Sequence, residues 1–159
     1  ADFGPRATML YCHAHNRRVP YRDCTPKGLL RLRHYLDYFK AARVHALRAL
    51  GIRYRSLEDD GILMPVVDAE ISRSRPVRYD SPLTVRACFP EELSARITTQ
   101  YTVFRSDSTN EESVLATGTV TVCFVSAETN RPIRPPERVR QALQNAEANP
   151  AKRPSPQGA

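Results

Sequence analysis

The sequence predicts an α+β domain in which one long helix packs against an antiparallel sheet of about five strands. Between residues 35 and 50, apolar side chains recur at steps of three and four, the spacing of one helix face. Between residues 114 and 124, apolar and polar side chains alternate, which is typical of a strand with one buried face. A helix and a sheet that each have an apolar side can bury those sides against each other.

The chain has the size of one ordinary domain. Its 159 residues are enough to bury a core without covalent or metal staples. We expect the domain to cover residues 9–148, with a flexible terminus at residues 1–8 and a disordered Pro-rich tail at residues 149–159. No apolar run is long enough for a secretion signal or a membrane span, so we expect a cytoplasmic location and no membrane partner.

The chain is basic, with a net charge of +7 and 24 Lys and Arg residues. Such a charge suits an anionic partner, whether nucleic acid, a membrane surface or a phosphate-bearing cofactor. The basic residues are scattered over every segment, and no basic run is interleaved with aromatic side chains. We therefore expect no nucleic-acid partner and interpret the charge as a solvated basic surface.

Cysteine usage favours a reducing compartment and no metal. The four cysteines form no C-x-x-C motif and lie far apart, at Cys12, Cys24, Cys88 and Cys123. Two of them are near His13 and His15, so a disulfide or a zinc site is an open alternative. Their spacing fits no standard zinc module, and we therefore predict neither a metal nor another cofactor.

The long helix is predicted to follow a tight turn and to end at Gly51, where a left-handed residue commonly closes a helix. Thr25 and Pro26 begin the turn, and Gly28 lets the backbone approach closely. Backbone N–H groups near Leu32 would then lack intrahelical acceptors. Such a helix start can bind a developing negative charge.

The other elements follow in chain order. A weakly patterned first strand is expected within residues 10–21, and residues 52–61 are polar. A long bent strand is expected at residues 62–79, broken at its prolines. Three more strands are predicted, at residues 83–93, 95–105 and 113–128. Pro135 and Pro136 then begin a short helix whose apolar face carries Val139 and Leu143.

The helix stretch also carries a motif. An acid, a glycine, two aliphatic residues and an aromatic-rich helix ending in Ala-Arg are found at Asp23, Gly28, Leu29, Leu30, Tyr35, Tyr38, Phe39, Ala42 and Arg43. This pattern resembles the 4-hydroxybenzoyl-CoA thioesterase-like branch of the hotdog-fold family. The segments PVRYDSPLTVR, ATGTVTVCFV and NRPIRPPERVRQAL also look like that family, so the resemblance covers roughly residues 17–143. It implies a curved sheet wrapped around the helix and hydrolysis of an acyl thioester at a site shared by two subunits.

The resemblance implies catalytic roles for four residues. The backbone N–H of Leu32 would polarise the thioester carbonyl. Thr25 replaces the second acid of the family motif, and its hydroxyl can orient a water but cannot act as a base near neutral pH. His34 stands where the family usually has Asn and is a candidate general base. Thr25 and Arg43 together resemble the acid-lacking enediyne polyketide thioesterases, which have Asn at the first position and rely on a helix Arg at the second.

Several of these roles have alternatives. Arg43 either contacts the substrate or pairs with a carboxylate on the sheet, for which Asp68 is the candidate. Asp68 is otherwise a replacement acid or part of a solvated face. Asp23 is interpreted as mainly structural, because neighbours on a strand point to opposite faces.

Substrate contacts are expected at Gly28, Tyr35, Asp68 and Arg96. Arg96 is the one cation left where the family can bind the nucleotide of CoA, which weakens CoA relative to a carrier protein. We expect an oligomer, a homodimer or a homotetramer formed as a dimer of dimers, because the sheet leaves an edge and the site needs two walls. The main rival is a protein of the same fold that binds an acyl thioester or an aromatic ligand without turnover. A basic nucleic-acid-binding protein is a distant third, which salt-sensitive DNA binding would reveal.

Overall fold

Five antiparallel strands form one curved sheet, and the longest helix lies against one of its faces. The computed structural model describes residues 9–107 and 113–148. The predicted terminal segments, residues 1–8 and 149–159, lie outside the described residues. The elements in chain order are β1 (Met9–Arg18), a 3-10 turn (Tyr21–Asp23), α1 (Arg33–Ala49), α2 (Tyr54–Asp59), β2 (Ile62–Leu63), β3 (Val66–Arg73), β4 (Pro82–Pro90), β5 (Arg96–Arg105), β6 (Val114–Cys123), β7 (Val125–Ser126) and α3 (Glu137–Ala148).

The strand order in the large sheet is β1-β4-β5-β6-β3, and every neighbouring pair is antiparallel. β2 and β7 form a separate two-stranded ladder. β3 is an edge strand, and among the described strands only β6 pairs with it. The α+β prediction is therefore confirmed, with one sheet of five strands and one long helix.

α1 buries one face and ends where the sequence predicted. The buried positions recur at helical spacing and are Tyr35, Tyr38, Phe39, Ala42, Arg43, Ala46 and Leu47. Gly51 has a φ of +86°, and its N–H donates to the carbonyl of Arg48 at 2.9 Å. The N–H of Ile52 donates to the carbonyl of Leu47 at 2.9 Å, which completes the hydrogen-bond pattern that commonly closes a helix at glycine.

A glycine on β6 lets α1 lie close to the sheet. Phe39 of α1 is fully buried and stacks on Tyr101 of β5, with ring centroids 4.5 Å apart. A Cβ atom on Gly118 would lie 2.5 Å from a ring carbon of Phe39 and 2.8 Å from the carbonyl oxygen of Glu70. Real Cβ atoms do not approach other atoms so closely, so the packing of Phe39 requires glycine at this position.

Two segments differ from the prediction. The stretch predicted as one bent strand at residues 62–79 divides into β2 and β3, because Pro65 lies between them and has no N–H to donate to a ladder. The polar stretch after α1 contains α2, which was not predicted. α2 buries only Leu57, so its six residues carry too little apolar periodicity to be recognised.

α3 packs against the rest of the domain as predicted. Val139 and Leu143 are buried, and Ala146 extends the same apolar face. Arg138 of α3 forms an ion pair with Asp60 at the end of α2, with a nitrogen to oxygen distance of 2.6 Å. Within the described residues, no helix is long and apolar enough to cross a membrane.

The structure contains a disulfide that joins Cys12 of β1 to Cys88 of β4. The two residues are direct cross-strand partners, with Cα atoms 4.0 Å apart. The sequence left a bridge open but could not choose the partner, because the two cysteines are 76 positions apart. Cys24 and Cys123 are buried and carry thiols. Disulfides are rare in reducing compartments, so the cytoplasmic location stays a prediction.

Candidate active site

A tight hairpin directly before α1 positions the residues that the motif singled out. The N–H of Thr25 donates to the carbonyl of Leu29, and the N–H of Gly28 donates to the carbonyl of Thr25, both at 2.8 Å. Gly28 has a φ of +76°, a left-handed conformation that glycine adopts most readily. The N–H of Leu30 donates to the carbonyl of Val77 at 2.8 Å, which anchors the hairpin to the segment after β3.

The hydroxyl of Thr25 takes part in this hairpin. Its oxygen accepts a hydrogen bond from the N–H of Leu29 at 3.3 Å, and the residue is half-buried. The hydroxyl hydrogen is still available to a ligand or a water. The position thus provides one hydroxyl and no acid.

The start of α1 presents two backbone donors. Within the described part of the chain, the N–H groups of Leu32 and Arg33 have no backbone acceptor, and no side chain caps the helix. His34 and Tyr35, in contrast, donate to the carbonyls of the residues three positions earlier. Leu32 is 50% exposed, so a ligand oxygen can reach this helix start. Unsatisfied donors at the positive end of a helix bind negative charge.

Beside these donors, a buried carboxylate lies against the imidazole of His34. Asp23 is only 8% exposed, and its Oδ2 accepts a hydrogen bond from the phenol of Tyr38 at 2.8 Å. Its Oδ1 lies 3.6 Å from Nδ1 of His34. Oδ2 of Asp37 lies 3.4 Å from the same nitrogen. His34 thus has carboxylate oxygens close to one ring nitrogen only.

The other ring nitrogen of His34 faces a donor. Nε of Arg33 donates to Nε2 of His34 at 3.3 Å, so Nε2 is the acceptor and the proton of the neutral ring lies on Nδ1. This arrangement leaves the lone pair on Nε2 and directs the N–H towards Asp23 and Asp37. Arg33 is exposed, so its side chain can move away from Nε2 when a water or ligand approaches. An imidazole with a carboxylate near one ring nitrogen and a lone pair on the other can act as a general base.

Tyr38 links the carboxylate to β1. Burial and the hydrogen bond to Asp23 both raise the pKa of Tyr38, so its phenol stays protonated and acts as a donor. The guanidinium of Arg17 on β1 stacks over the Tyr38 ring, with its central carbon 3.6 Å from the ring centroid. Nε of Arg17 is buried and has no hydrogen-bond acceptor within the described residues.

Arg43 does not lie at the helix start. It is eleven residues beyond Leu32, which at about 1.5 Å per residue places it about 16 Å further along α1. Its Nε donates to the phenol oxygen of Tyr54 at 2.6 Å, and its Nη1 donates to that of Tyr101 at 2.8 Å. The suggested pairing of Arg43 with Asp68 is wrong, because Asp68 is exposed on β3 and the described partners of Arg43 are the two phenols.

The predicted substrate contacts are spread over the domain. Gly28 lies in the hairpin, and Tyr35 is fully buried in the core on the first turn of α1. Burial raises the pKa of Tyr35, and the nearby charge of Arg73 partly offsets that effect. Arg96 is exposed at the start of β5, about 30 Å along that strand from the end that lies nearest the hairpin. The structure therefore brings Thr25, Gly28, Leu32 and His34 to one end of the domain, and leaves Arg96, Asp68 and Arg43 elsewhere.

Two residues of the site were underestimated from the sequence. Asp23 was interpreted as mainly structural because it was placed on a strand, whereas it lies in a 3-10 turn that directs its carboxylate towards α1. The sequence places Tyr38 only in the helix motif, and its buried phenol identifies it as a partner of Asp23. Within residues 9–107 and 113–148, no group of three or more His, Cys, Asp or Glu is arranged to hold a metal.

Comparison with known proteins identifies the family. The model of the Thioesterase-like superfamily matches residues 19–143. The chain belongs to this superfamily. The family prediction made from the helix motif is thus confirmed, and the match spans the hairpin, α1, the strands of the sheet other than β1, and the first part of α3.

Solved structures of two thioesterases have the same fold. A DHNA-CoA thioesterase from Staphylococcus aureus superimposes with a TM-score of 0.76 at 20% identity, covering 87% of this chain and 92% of that one. A 1,4-dihydroxy-2-naphthoyl-CoA thioesterase from Synechocystis gives a TM-score of 0.76 at 16% identity, covering 83% and 95%. These likenesses confirm the hotdog fold.

A curated relative is closer in sequence. The Bacillus subtilis (strain 168) protein named "Putative acyl-CoA thioesterase YneP" is 27% identical over 116 residues. The matched region is 73% of this chain and 81% of that protein.

Proposed function

We propose that this chain hydrolyses acyl thioesters to a free acid and a thiol at the start of α1. One observation carries the proposal: a buried carboxylate, Asp23, lies 3.6 Å from Nδ1 of His34, two residues after Leu32, whose N–H has no backbone acceptor among the described residues. Membership of the thioesterase-like superfamily and the name of the B. subtilis relative support an acyl-CoA substrate. An acyl-carrier protein is the alternative thioester.

In the proposed reaction, the thioester carbonyl oxygen accepts a hydrogen bond from the N–H of Leu32. Nε2 of His34 removes a proton from a water molecule as the water oxygen attacks the carbonyl carbon. Negative charge develops on the carbonyl oxygen, where a main-chain donor at a helix start stabilises it without reorganisation. The carbon to sulfur bond then breaks, and the leaving thiolate takes the proton from His34.

Two other residues support these steps in the proposal. Asp23 stabilises the imidazolium that forms on His34 and fixes which ring nitrogen carries the proton, as an orienting carboxylate does for other catalytic histidines. Thr25 has a hydroxyl hydrogen not used in the hairpin, and it can hold the attacking water. Arg43 is about 16 Å away along α1, so we assign it no step in this reaction within one protomer.

The proposed assembly is a homodimer or a dimer of dimers formed through β3. β3 is an edge strand, and Val66 and Val67 on it are both about half-exposed. Its Arg73 end lies beside Tyr35, near the helix start, so a second copy paired with β3 would stand next to the proposed site. An unpaired edge is a ready template for a second strand.

Hydrolysis assays test the proposal directly. Benzoyl-CoA, hexanoyl-CoA, palmitoyl-CoA and an acyl-carrier protein should be offered to the wild type, to His34→Gln and to His45→Gln. His45 is an exposed histidine on the same helix and serves as the matched control. We expect turnover of at least one thioester, a loss of roughly 100-fold to 10,000-fold in kcat/KM for His34→Gln, and no comparable loss for His45→Gln.

The rival function is binding of an acyl thioester or an aromatic ligand without turnover. The absence of an acid at Thr25 favours it. Saturable binding of a thioester with no release of thiol, by a folded wild-type protein, would establish the rival and refute hydrolysis.

A further inference from the structure

A cleft of about 220 Å³ lies beside the middle of α1, between this helix, α2 and the segment that joins β2 to β3. Its walls combine apolar and polar side chains, and the apolar ones include Leu57 and Met64. Its polar side chains are Lys40, Arg43 and Tyr54, together with Glu58 at an exposed position of α2. The cleft is separate from the site at the start of α1, which contributes none of the residues that line it.

Arg43 is the unusual member of this cleft because it is buried without an acid. The residue is 2% exposed, and its described hydrogen-bond acceptors are the phenol oxygens of Tyr54 and Tyr101. No carboxylate of the described residues lies within ion-pair distance of it. An arginine buried in an apolar helix face normally has a carboxylate partner, since an unpaired buried charge is costly.

The two phenols do not neutralise this charge. Burial by itself lowers the pKa of Arg43, but the oxygens of Tyr101 and Tyr54 outweigh it and the pKa is raised, so the guanidinium is charged. Burial raises the pKa of both tyrosines more than Arg43 lowers it, so both phenols are uncharged at neutral pH. The interior beside the cleft therefore carries a full positive charge.

Arg43 and Tyr54 both line the cleft, and each has a donor that the hydrogen bonds between them leave over. Nη2 of Arg43 has no acceptor among the described residues, since the two phenols accept from Nε and Nη1. The Tyr54 oxygen accepts from Arg43, so its own hydrogen is available to donate. A guanidinium N–H and a phenol O–H side by side match the two oxygens of one carboxylate.

A buried hydroxyl lies near Arg43 inside the domain. The side chain of Thr99 is fully buried, and it lies next to the phenol of Tyr101, which also contacts Arg43. Thr99 and Arg43 both line a small internal cavity of about 10 Å³, close to the space that one water needs. Arg43 therefore lines both this internal cavity and the cleft.

The charges around the cleft select the kind of anion. Lys40 and Arg43 are positive and Glu58 is negative, so the lining has a net charge of one positive unit. A single negative charge balances this lining, whereas a phosphate dianion would be repelled by Glu58. The apolar side chains of the lining favour a ligand with an apolar body.

From these contacts, we propose that the cleft binds an organic monocarboxylate. The carboxylate lies between Arg43 and Tyr54, and the apolar body packs against Leu57 and Met64. The free acid released by thioester hydrolysis belongs to this class; that link rests on the proposed function, but the binding itself does not.

Calorimetric titration at pH 7 tests the proposal with matched pairs of probes. Benzoate and hexanoate are compared with benzamide and hexanamide, which have the same apolar bodies and no charge. We expect the wild type to bind each acid at least tenfold more tightly than its amide. Tyr54→Phe should weaken binding of the acids by about 2-fold to 10-fold, the worth of one hydrogen bond. Arg48→Gln, on an exposed arginine of α1 outside the cleft, should leave the affinities unchanged.

Further variants separate the outcomes. Arg43→Lys keeps the positive charge but loses the planar pair of N–H donors of the guanidinium. We therefore expect this variant to bind the acids more weakly. Circular dichroism should show that it is still folded. Glu58→Gln should tighten binding of the acids, because it removes from the cleft a negative charge that repels the carboxylate. Equal affinity for acids and amides, no binding by the wild type, or unchanged binding in both Tyr54→Phe and Arg43→Lys would each overturn the proposal. A lower Tm for Glu58→Gln would also overturn it, since Glu58 would then be the missing partner of Arg43.

The two proposals can fail independently. His34→Gln lies outside the cleft and should bind benzoate like the wild type even if hydrolysis is lost. A wild type that hydrolyses thioesters but binds no acid would refute the cleft alone.

Discussion

The phenol of Tyr38 donates to Oδ2 of Asp23 at 2.8 Å, and both side chains are buried. This hydrogen bond joins the second turn of α1 to the 3-10 turn that precedes the hairpin. The other oxygen of the same carboxylate faces Nδ1 of His34. One hydrogen bond therefore fixes the carboxylate that orients the proposed general base.

Replacing Tyr38 by Phe should destabilise the protein, because a buried carboxylate loses a donor. We expect a loss of about 1–3 kcal/mol in the free energy of unfolding, measured by urea denaturation. Tyr21→Phe is the matched control, since Tyr21 is 67% exposed. Equal stability of the two variants would contradict the role given to this hydrogen bond.

Replacing Leu32 by Pro tests the main-chain donor. Leu32 has a φ of −51°, which proline adopts readily, and its N–H has no backbone acceptor within the described residues. The substitution thus removes the proposed oxyanion donor at small structural cost. We expect kcat to fall by roughly 100-fold to 1,000-fold. Leu32→Ala keeps the N–H and should retain most of the activity, so a similar loss in both variants would point to the side chain instead.

The histidines between β1 and α1 should make stability depend on pH. The rings of His15 and His45 stack with centroids 3.9 Å apart. Burial lowers the pKa of His15, as do the charges of His45, Arg17 and His13. The pKa of His13 is also lowered, by burial and then by His45.

These lowered pKa values determine the direction in which stability changes with pH. Because the folded protein resists protonation, the unfolded chain binds more protons below pH about 6.5, and stability falls as the pH falls. We expect the free energy of unfolding to decrease from pH 7 to pH 5. His15→Gln should reduce that slope, as measured by urea denaturation at each pH. An unchanged slope in this variant would exclude His15 as a cause.

A single charged substitution on β3 tests the proposed assembly. Val67 is 46% exposed on this edge strand, and a lysine there would place a cation in the interface. We expect light scattering to give at least twice the chain mass for the wild type and the monomer mass for Val67→Lys. Ala127→Lys, in an exposed loop, is the control. A monomeric wild type at micromolar concentration would refute the assembly.

The fold was predictable because its two main signals are long. α1 keeps helical spacing over several turns, and β6 alternates over ten residues, so neither depends on one residue. The segments that were missed are short. α2 has one buried apolar residue, and the partner of Cys12 is set by strand pairing between distant parts of the chain.

Only the backbone donors of the site could be predicted from the sequence. The turn residues before α1 indicate where unpaired N–H groups lie, which is local information. The contact of Asp23 with His34 depends on how a 3-10 turn folds back onto the helix, and the two phenols beside Arg43 come from α2 and β5. Such contacts between distant segments leave no local pattern, so Asp68 was wrongly considered as the partner of Arg43.

The position of Arg43 has a consequence for the length of ligands. Leu32, Leu36, Lys40 and Arg43 follow one another at steps of four, four and three, so they lie along one stripe of α1. Leu32, Leu36 and Lys40 on this stripe are exposed. A molecule that touches both the N–H of Leu32 and the guanidinium of Arg43 must span about 16 Å, and a shorter one reaches a single end. If both proposals hold, the distance of about 16 Å along α1 sets which acyl chains are long enough to reach from the hydrolytic site to Arg43.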